Sequence, residues 1–257
     1  MTKFLVITSG KGGTGKTTIA LNLGTALTLM GREVIVVDGS FSGPHIGLHL
    51  GAPSPKHHLH HVLQGKKRIN EVVFLHQSGL KIIPASISMK DIEEVDLSGF
   101  ERLKPEMMGM GEVIIFDSSP GFGKEALTVL KSADEIIVVT NPDLAAVTDA
   151  LRIVKYARGR GIRILGVVVN KVRDEESEMA VKNIETLLEA KVIAVIPDDP
   201  NVRKALHIKH PVVYSHPSSK ASIAIKKLAK DLIGEPRDER QIFKGILKRF
   251  GMDEKAS

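Results

Sequence analysis

Seven short runs of apolar, mostly β-branched residues recur along the chain, and stretches with helical periodicity separate them. The runs span residues 4–8, 33–38, 80–85, 112–117, 135–140, 163–170 and 192–197. Helical patterns are clearest over residues 17–30, 145–157 and 177–190. Strands that are apolar on both faces are typical of a parallel sheet covered by helices. The alternation therefore predicts an α/β fold, with a doubly wound, mainly parallel sheet and helices on both faces.

Length and composition favour one domain with a short tail. The chain has 257 residues, which one large core can accommodate, and we expect this domain to span residues 1–234. The polar segment 234–240 contains Gly and Pro and reads as a linker, so residues 235–257 form a separate tail. No apolar run approaches the roughly 20 residues that span a bilayer, and the N-terminus does not resemble a signal peptide, which predicts a cytoplasmic protein. The chain has no cysteine, which excludes disulfides, thiolate metal sites, cysteine nucleophiles and cysteine-ligated iron–sulfur clusters.

The segment between the first predicted strand and the first predicted helix fits the phosphate-binding pattern G-x-x-x-x-G-K-[ST]. It consists of Gly10, Lys11, Gly12, Gly13, Thr14, Gly15, Lys16 and Thr17. Glycines in such a loop let backbone N–H groups turn toward phosphate oxygens. Lys16 is then expected to reach the β- and γ-phosphates, and the Thr17 hydroxyl is expected to bind Mg²⁺. The loop predicts a site for a nucleoside triphosphate with Mg²⁺.

Lys11 is not required by that general pattern. Together with Gly12 through Thr18 it makes the loop resemble the deviant Walker A sequence KGGxGKTT of the MinD/ParA family of P-loop ATPases. The resemblance extends over most of residues 1–233. It implies that the protein binds and hydrolyses ATP, and that it forms a homodimer on ATP binding. It also implies that Lys11 reaches across the dimer interface to the nucleotide of the partner subunit.

Three further segments carry the resemblance. The strand that ends at Asp117 is similar to the family's Walker B segment, so Asp117 is implied to support the Mg²⁺ ion. Asn170 follows VVV at the position where the family places Asn against the base, and residues 196–199 resemble its nucleotide lid, so Asn170 and Pro197 are implied to frame adenine. From the residues alone, 170–173 also resembles the guanine-reading N-K-x-D pattern. Arg173 replaces the carboxylate of that pattern, which favours adenine.

One position departs from the family. The family commonly ends its second strand with Asp-x-Asp, whose second carboxylate positions the attacking water, whereas here Asp38 is followed by Gly39 and Ser40. A serine can hydrogen-bond a water but cannot polarise it as a carboxylate does. We therefore expect slow or impaired hydrolysis. Asp38 or His45 could take over the role of that carboxylate, and Asp38 could equally support only the Mg²⁺ shell.

Two other clusters are open to more than one interpretation. His57, His58, His60 and His61 include a helical i,i+4 pair, but no acidic or cysteine residue adjoins them in the sequence, so a surface helix is favoured over a metal site. Several cations could form a DNA-contacting face, although few aromatic residues are available to stack on bases. These cations are Lys66, Lys67, Arg68, Lys220, Lys226, Lys227 and Lys230.

The tail contains an amphipathic pattern. Its apolar stripe consists of Ile242, Phe243, Ile246, Leu247 and Phe250. Four cations and no acid accompany the stripe between residues 240 and 252, which is typical of a helix that binds an anionic membrane surface. The tail also resembles the membrane-targeting sequence of the MinD group. The alternative is that the stripe packs onto the chain's own domain or onto a protein partner.

These observations predict a MinD-like ATP-dependent dimerisation switch that associates reversibly with membrane when ATP-bound. The switch is expected to position cell components, such as the division site, and to act with an unidentified protein partner or activator. Lys11, Lys16, Asp38 and Ser40 are the residues expected to act in catalysis, with ATP and Mg²⁺ as cofactors. Two alternatives remain. One is a ParA-type partition ATPase whose partner is DNA, and the other is a nucleotide-regulated scaffold without catalysis.

Overall fold

The computed structural model describes residues 2–52, 55–94 and 96–234. The strands of this part are β1 (Lys3–Thr8), β2 (Val34–Gly39), β3 (Phe74–Leu75), β4 (Lys81–Ile83), β5 (Val113–Ser118), β6 (Glu135–Thr140), β7 (Arg163–Val172) and β8 (Val192–Pro197). They form one sheet in the order β3-β4-β2-β5-β1-β6-β7-β8. Every pairing is parallel except that of β3 with β4. The predicted mainly parallel sheet is confirmed.

Helices connect the strands over both faces. Their bounds are α1 (Lys16–Leu29), α2 (Ile46–His49), α3 (Leu59–Leu63), α4 (Met89–Glu93), α5 (Leu103–Met107), α6 (Lys124–Lys131), α7 (Leu144–Gly159), α8 (Val181–Leu188), α9 (Pro200–His207), α10 (Val212–Ser215) and α11 (Lys220–Ile233). Short 3₁₀ helices span Ile69–Val72 and Leu97–Arg102. None of the helices within the described residues is long and apolar enough to span a bilayer.

Consecutive residues of the central strands enter two separate apolar cores. Phe4 and Val6 of β1 belong to the core that includes α6, α7 and α8, whereas Leu5 and Ile7 belong to the core that includes α1 and α11. Because side chains alternate along a strand, an uninterrupted apolar run serves both cores at once. This explains why the runs carry no polar alternation.

The starts of two helices are set by specific hydrogen bonds rather than by the apolar pattern. Asp143 caps α7 by accepting a hydrogen bond from the Ala146 N–H at 2.8 Å. The predicted helix over 177–190 begins only at Val181, because the preceding segment makes other contacts: the Met179 N–H donates to the Pro142 carbonyl and Glu178 accepts from the Arg173 N–H. Tertiary hydrogen bonds thus override the helical pattern at the start of α8.

Candidate nucleotide site

The loop between β1 and α1 lies at the carboxyl edge of the sheet, beside the ends of β5 and β2. Parallel pairing places Asp117 of β5 beside Ile7 of β1 and also beside Asp38 of β2. In open α/β sheets this edge is where ligands bind. The sheet order therefore brings the phosphate loop and two aspartates together.

Close approaches at both ends of the loop require glycine. Gly15 has φ of +96°, and a side chain there would collide with the Asn170 amide. A side chain at Gly10 would collide with the backbone of Asp149 in α7. Among the described residues no side chain caps the first turn of α1, so the N–H groups there remain available to an anion.

The walls of the site come from residues far away in the chain. The Asn170 amide donates to the Thr14 carbonyl at 2.7 Å, and the Lys171 ammonium donates to the Gly13 carbonyl at 2.7 Å. On the other side, the Gly121 N–H donates to the Ser9 carbonyl at 2.9 Å. These contacts connect the loop to β7 and to the segment after β5.

Lys16, Thr17 and Asp117 form the charged centre of the site. The Thr17 hydroxyl donates to Asp117 Oδ2 at 2.6 Å, while Asp117 Oδ1 is buried without a hydrogen-bond partner. Burial lowers the pKa of Lys16, although the charges of Asp117 and Asp38 oppose this. Burial also raises the pKa of Asp117. A buried carboxylate oxygen without a partner, beside a threonine hydroxyl, is a donor set that suits Mg²⁺.

Asp38 is fully buried and holds the segment that follows β2. Its carboxylate accepts from the N–H groups of Ser40 at 3.2 Å, His45 at 3.1 Å and Ile46 at 3.0 Å. Burial raises its pKa to about 8, and the charge of Asp117 acts in the same direction. Because it accepts three backbone hydrogen bonds, the Asp38 carboxylate fixes the conformation of residues 39–46.

Ser40 lies at the edge of this segment with its side chain hydrogen-bonded. Its hydroxyl donates to the Gly43 carbonyl at 2.9 Å and accepts from the Ser119 hydroxyl at 3.3 Å. The Ser119 hydroxyl shares its single proton between Ser40 and Glu125, whose carboxylate is closer at 2.6 Å, and Glu125 also accepts from the Ser42 N–H at 3.0 Å. Glu125, which no sequence motif indicated, places a carboxylate two hydrogen bonds from the Ser40 hydroxyl.

Lys11 lies at the exposed rim of the loop. Its ammonium forms an ion pair with Asp143 at 3.0 Å, and the two side chains are 35% and 51% exposed. No sequence motif indicated Asp143 as a partner of Lys11. In the sequence, Asp143 directly precedes a helical pattern, which predicts a helix cap but not this ion pair.

A cleft of about 170 Å³ adjoins the loop on the side of β7 and β8. Its lining includes Gly15, Thr18, Asn170, Pro197 and Val202. Arg173 lies at the same cleft and pairs with Asp198 at 2.8 Å. Asn170 and Pro197 thus lie together beside the loop, although the Asn170 amide group is directed to the Thr14 carbonyl.

The membrane residues predicted in the tail, Ile242, Phe243, Ile246, Leu247 and Phe250, lie outside the described residues. The histidine cluster differs from the expectation. His58 and His60 are buried rather than at the surface, and the fold brings Asp91 to His58 although no acidic residue adjoins them in the sequence.

The phosphate loop, the strand-end aspartates and the doubly wound sheet define a P-loop nucleotide-binding protein. The match is more specific than this class. Residues 5–212 match the family model of the CobQ/CobB/MinD/ParA nucleotide binding domain, and the chain belongs to that family.

Similar proteins include members of the MinD group. An ATP-binding protein of Methanocaldococcus jannaschii is 39% identical over 230 residues, which is 90% of this chain and 87% of that protein. The septum site-determining protein MinD of Neisseria meningitidis is 34% identical, covering 93% of this chain and 94% of the relative. The structure of the septum site-determining protein MinD complexed with Mg-ADP from Pyrococcus horikoshii has a TM-score of 0.86 at 30% identity, covering 94% of this chain and 98% of that one.

Proposed function

We propose that this protein is a MinD-like switch in which ATP and Mg²⁺ binding joins two copies of the chain. The dimer then associates reversibly with an anionic membrane through residues 235–257 and positions other cell components. The observation that supports this most directly is the phosphate loop, with Lys16 buried at its centre and Lys11 at its exposed rim. Similarity to septum site-determining MinD proteins favours placement of the division site as the process served.

Mg²⁺–ATP fits the groups at the site. Lys16 would bind the phosphates, while Thr17 and Asp117 would hold the Mg²⁺ ion, whose charge would be balanced by the buried carboxylates. When bound, Mg²⁺ neutralises charge on the phosphoryl oxygens. The cleft beside Asn170 and Pro197 is the place for the base, and the MinD structure from Pyrococcus horikoshii was determined with Mg-ADP.

Dimerisation would use Lys11 from each subunit. The ion pair of Lys11 with Asp143 is exposed, and such pairs contribute only about 0–1 kcal/mol. Lys11 can therefore leave Asp143 at small cost and bind a phosphate of the partner's nucleotide. Release of Asp143 is compatible with its role as a helix cap, because the cap uses the Ala146 N–H.

Hydrolysis would be slow because Ser40 lacks the charge that polarises a water. Its hydroxyl is already hydrogen-bonded to Gly43, and Asp38 is held by three backbone N–H groups, so neither is free to orient a nucleophile. Glu125 lies two described hydrogen bonds from the Ser40 hydroxyl, through Ser119. Slow turnover suits a switch, since it lengthens the life of the ATP-bound dimer.

One tail alone would bind membrane weakly. Burying a large apolar side chain gives about 1.5–3 kcal/mol, but only part of each side chain enters the headgroup region. Ordering the tail costs about 1–2 kcal/mol per residue, and each cation near anionic lipid returns about 1 kcal/mol. When two tails are joined in a dimer, the second binds intramolecularly and overall affinity rises by roughly 10²–10⁴.

Liposome co-sedimentation tests the switch. We expect the protein to pellet with anionic vesicles in ATP and Mg²⁺, and to stay in solution with ADP or with neutral vesicles. Phe250→Glu should abolish pelleting, whereas the matched control Phe250→Leu, which keeps an apolar side chain, should retain it. Equal pelleting with ADP and ATP would contradict the switch. ATP-dependent sedimentation with DNA by a variant lacking residues 235–257 would favour the partition alternative.

A further inference from the structure

The short helices α3 and α4 bring together three side chains of types that can bind a metal ion. His58 directly precedes α3, His61 lies within α3, and Asp91 lies in α4. The His58 and His61 rings are stacked with centroids 3.7 Å apart, and His58 Nε2 is 3.4 Å from Asp91 Oδ2. One ligand atom from each of the three residues lies within 4.8 Å of the other two. The fold thus assembles a ligand group from positions about 30 residues apart.

The two histidines have ring nitrogens that the protein leaves unused. Nδ1 of His58 and Nδ1 of His61 are both buried, and neither has a hydrogen-bond partner among the described residues. Buried polar atoms without a partner are uncommon, and one reason for them is an ion that the coordinates do not contain. Two such atoms in stacked rings beside a carboxylate are the main sign of a ligand here.

The adjacent His60 shows what a purely structural histidine looks like in the same segment. Its Nδ1 accepts from the Ser86 N–H at 3.1 Å and its Nε2 donates to the Phe41 carbonyl at 3.2 Å, so both nitrogens are used. Ser86 also donates its hydroxyl to Asp91 at 2.7 Å. Ligating carboxylates are commonly oriented by such outer hydrogen bonds. Ser86 would supply this one.

We propose that His58, His61 and Asp91 bind a divalent transition-metal ion of the zinc type, with water completing a four-coordinate site. Two imidazole nitrogens and one carboxylate oxygen are a ligand set that Zn²⁺ accepts. With bonds of about 2.0–2.2 Å, tetrahedral ligand atoms lie about 3.3 Å apart, so the ligand atoms need to approach one another by about 1.5 Å at most. The two stacked rings also need to turn so that their in-plane lone pairs converge on the ion. The ion would fasten α3 to α4 next to His60 and Phe41, close to residues 39–46.

Zn²⁺ binding by the nucleotide-free full chain tests the site. We expect uptake of Zn²⁺ with an increase in Tm, and His61→Gln and Asp91→Asn should each weaken Zn²⁺ affinity by at least about tenfold. The matched control His57→Gln should bind as the parent does. It also separates this site from the i,i+4 pair of His57 and His61.

A second measurement needs no variant. Co²⁺ in place of Zn²⁺ should give the intense visible absorption of a four-coordinate site in the parent chain, and Zn²⁺ should displace it. The proposal would be overturned by absence of Zn²⁺ uptake or of this absorption. It would also be overturned if His61→Gln and Asp91→Asn bound Zn²⁺ as the parent does while Asp117→Asn lost binding, because the ion would then occupy the nucleotide site.

Discussion

Ser40 is the residue at which we expect one side chain to set the rate of ATP hydrolysis without changing nucleotide affinity. It lies on the segment that Asp38 holds and makes its hydrogen bonds to Gly43 and Ser119. Neither Lys16 nor Thr17 depends on it for a hydrogen bond among those described. Changes at this residue should therefore alter turnover more than nucleotide affinity.

Ser40→Asp should raise the rate of ATP hydrolysis by at least about tenfold, because an oriented carboxylate polarises water and such groups typically contribute 10²–10⁴-fold. ATP affinity should change little. Ser40→Asn is the matched control: it has the shape of Asp without the charge and should leave the rate near that of the parent. Single-turnover measurements of phosphate release with saturating protein give the rate. Equal acceleration by Asp and Asn would show that charge is not the missing component.

Substitutions of the two lysines of the loop should separate nucleotide binding from dimerisation. Lys16→Ala should abolish nucleotide binding, since the buried ammonium would be lost from the centre of the site. Lys11→Ala should bind ATP as the parent does and lose ATP-dependent dimerisation. Calorimetry measures the first effect and light scattering after gel filtration the second, with Lys131→Ala as an exposed lysine control. If Lys11→Ala dimerised with ATP like the parent, its proposed role across the interface would be wrong.

At the scale of elements, Asp143 serves α7 in two ways. It caps the helix through the Ala146 N–H and it pairs with Lys11. The cap stabilises α7 itself, whereas the ion pair connects this helix to the phosphate loop. Substitutions can separate the contributions of the cap and of the ion pair to the free energy of unfolding.

Asp143→Ala should lower the free energy of unfolding by about 0.5–2 kcal/mol, because it removes the cap. Asp143→Asn should lower the free energy of unfolding by only a few tenths of a kcal/mol, because Asn caps a helix as well as Asp does and only an exposed ion pair is lost. Urea unfolding of the nucleotide-free protein measures both. A loss as large in Asn as in Ala would assign the stability to the charge instead of the cap.

The strands and the phosphate loop were predictable because their signals are local. Each central strand is an uninterrupted apolar run, and the loop glycines lie at fixed spacing. Strand β3 has only two residues, too few to form a pattern, and the start of α8 depends on the distant Pro142 carbonyl. The pairing of Lys11 with Asp143 spans 132 residues and that of Ser42 with Glu125 spans 83, so only the folded sheet reveals them.

Across the whole molecule, we expect partly buried histidines such as His49 to couple stability to pH. Burial lowers the pKa of His49 to about 4, and His45 and Lys209 nearby act in the same direction. The unfolded chain, with an ordinary pKa of about 6.5, binds a proton at this position that the folded chain rejects until about pH 4. The free energy of unfolding should therefore be retained above about pH 6.5 and fall as the pH drops toward 4.

For His49 alone the loss at pH 5 is at most about 2 kcal/mol, from about 1.36 kcal/mol per pKa unit. His49→Gln should reduce the decline measured by urea unfolding at pH 7, 6 and 5. His207→Gln, at an exposed position, serves as the control and should follow the parent. An unchanged decline in His49→Gln would assign the acid sensitivity to other groups.

The order of the strands has a consequence for how the proposed switch would distinguish ATP from ADP. β2 and β5, which carry Asp38 and Asp117, lie on one side of β1, whereas β7 and β8, which carry Asn170 and Pro197, lie on the other. The base is the same in both nucleotides, and only the terminal phosphate differs. Substitutions near β7 and β8 should therefore weaken ATP and ADP equally, whereas those near β2 and β5 should change the ratio of the two affinities. In the proposed switch, the side of the sheet that carries Asp38 and Asp117 would thus tune the preference for ATP, and this preference could evolve independently of the tightness with which the base is bound.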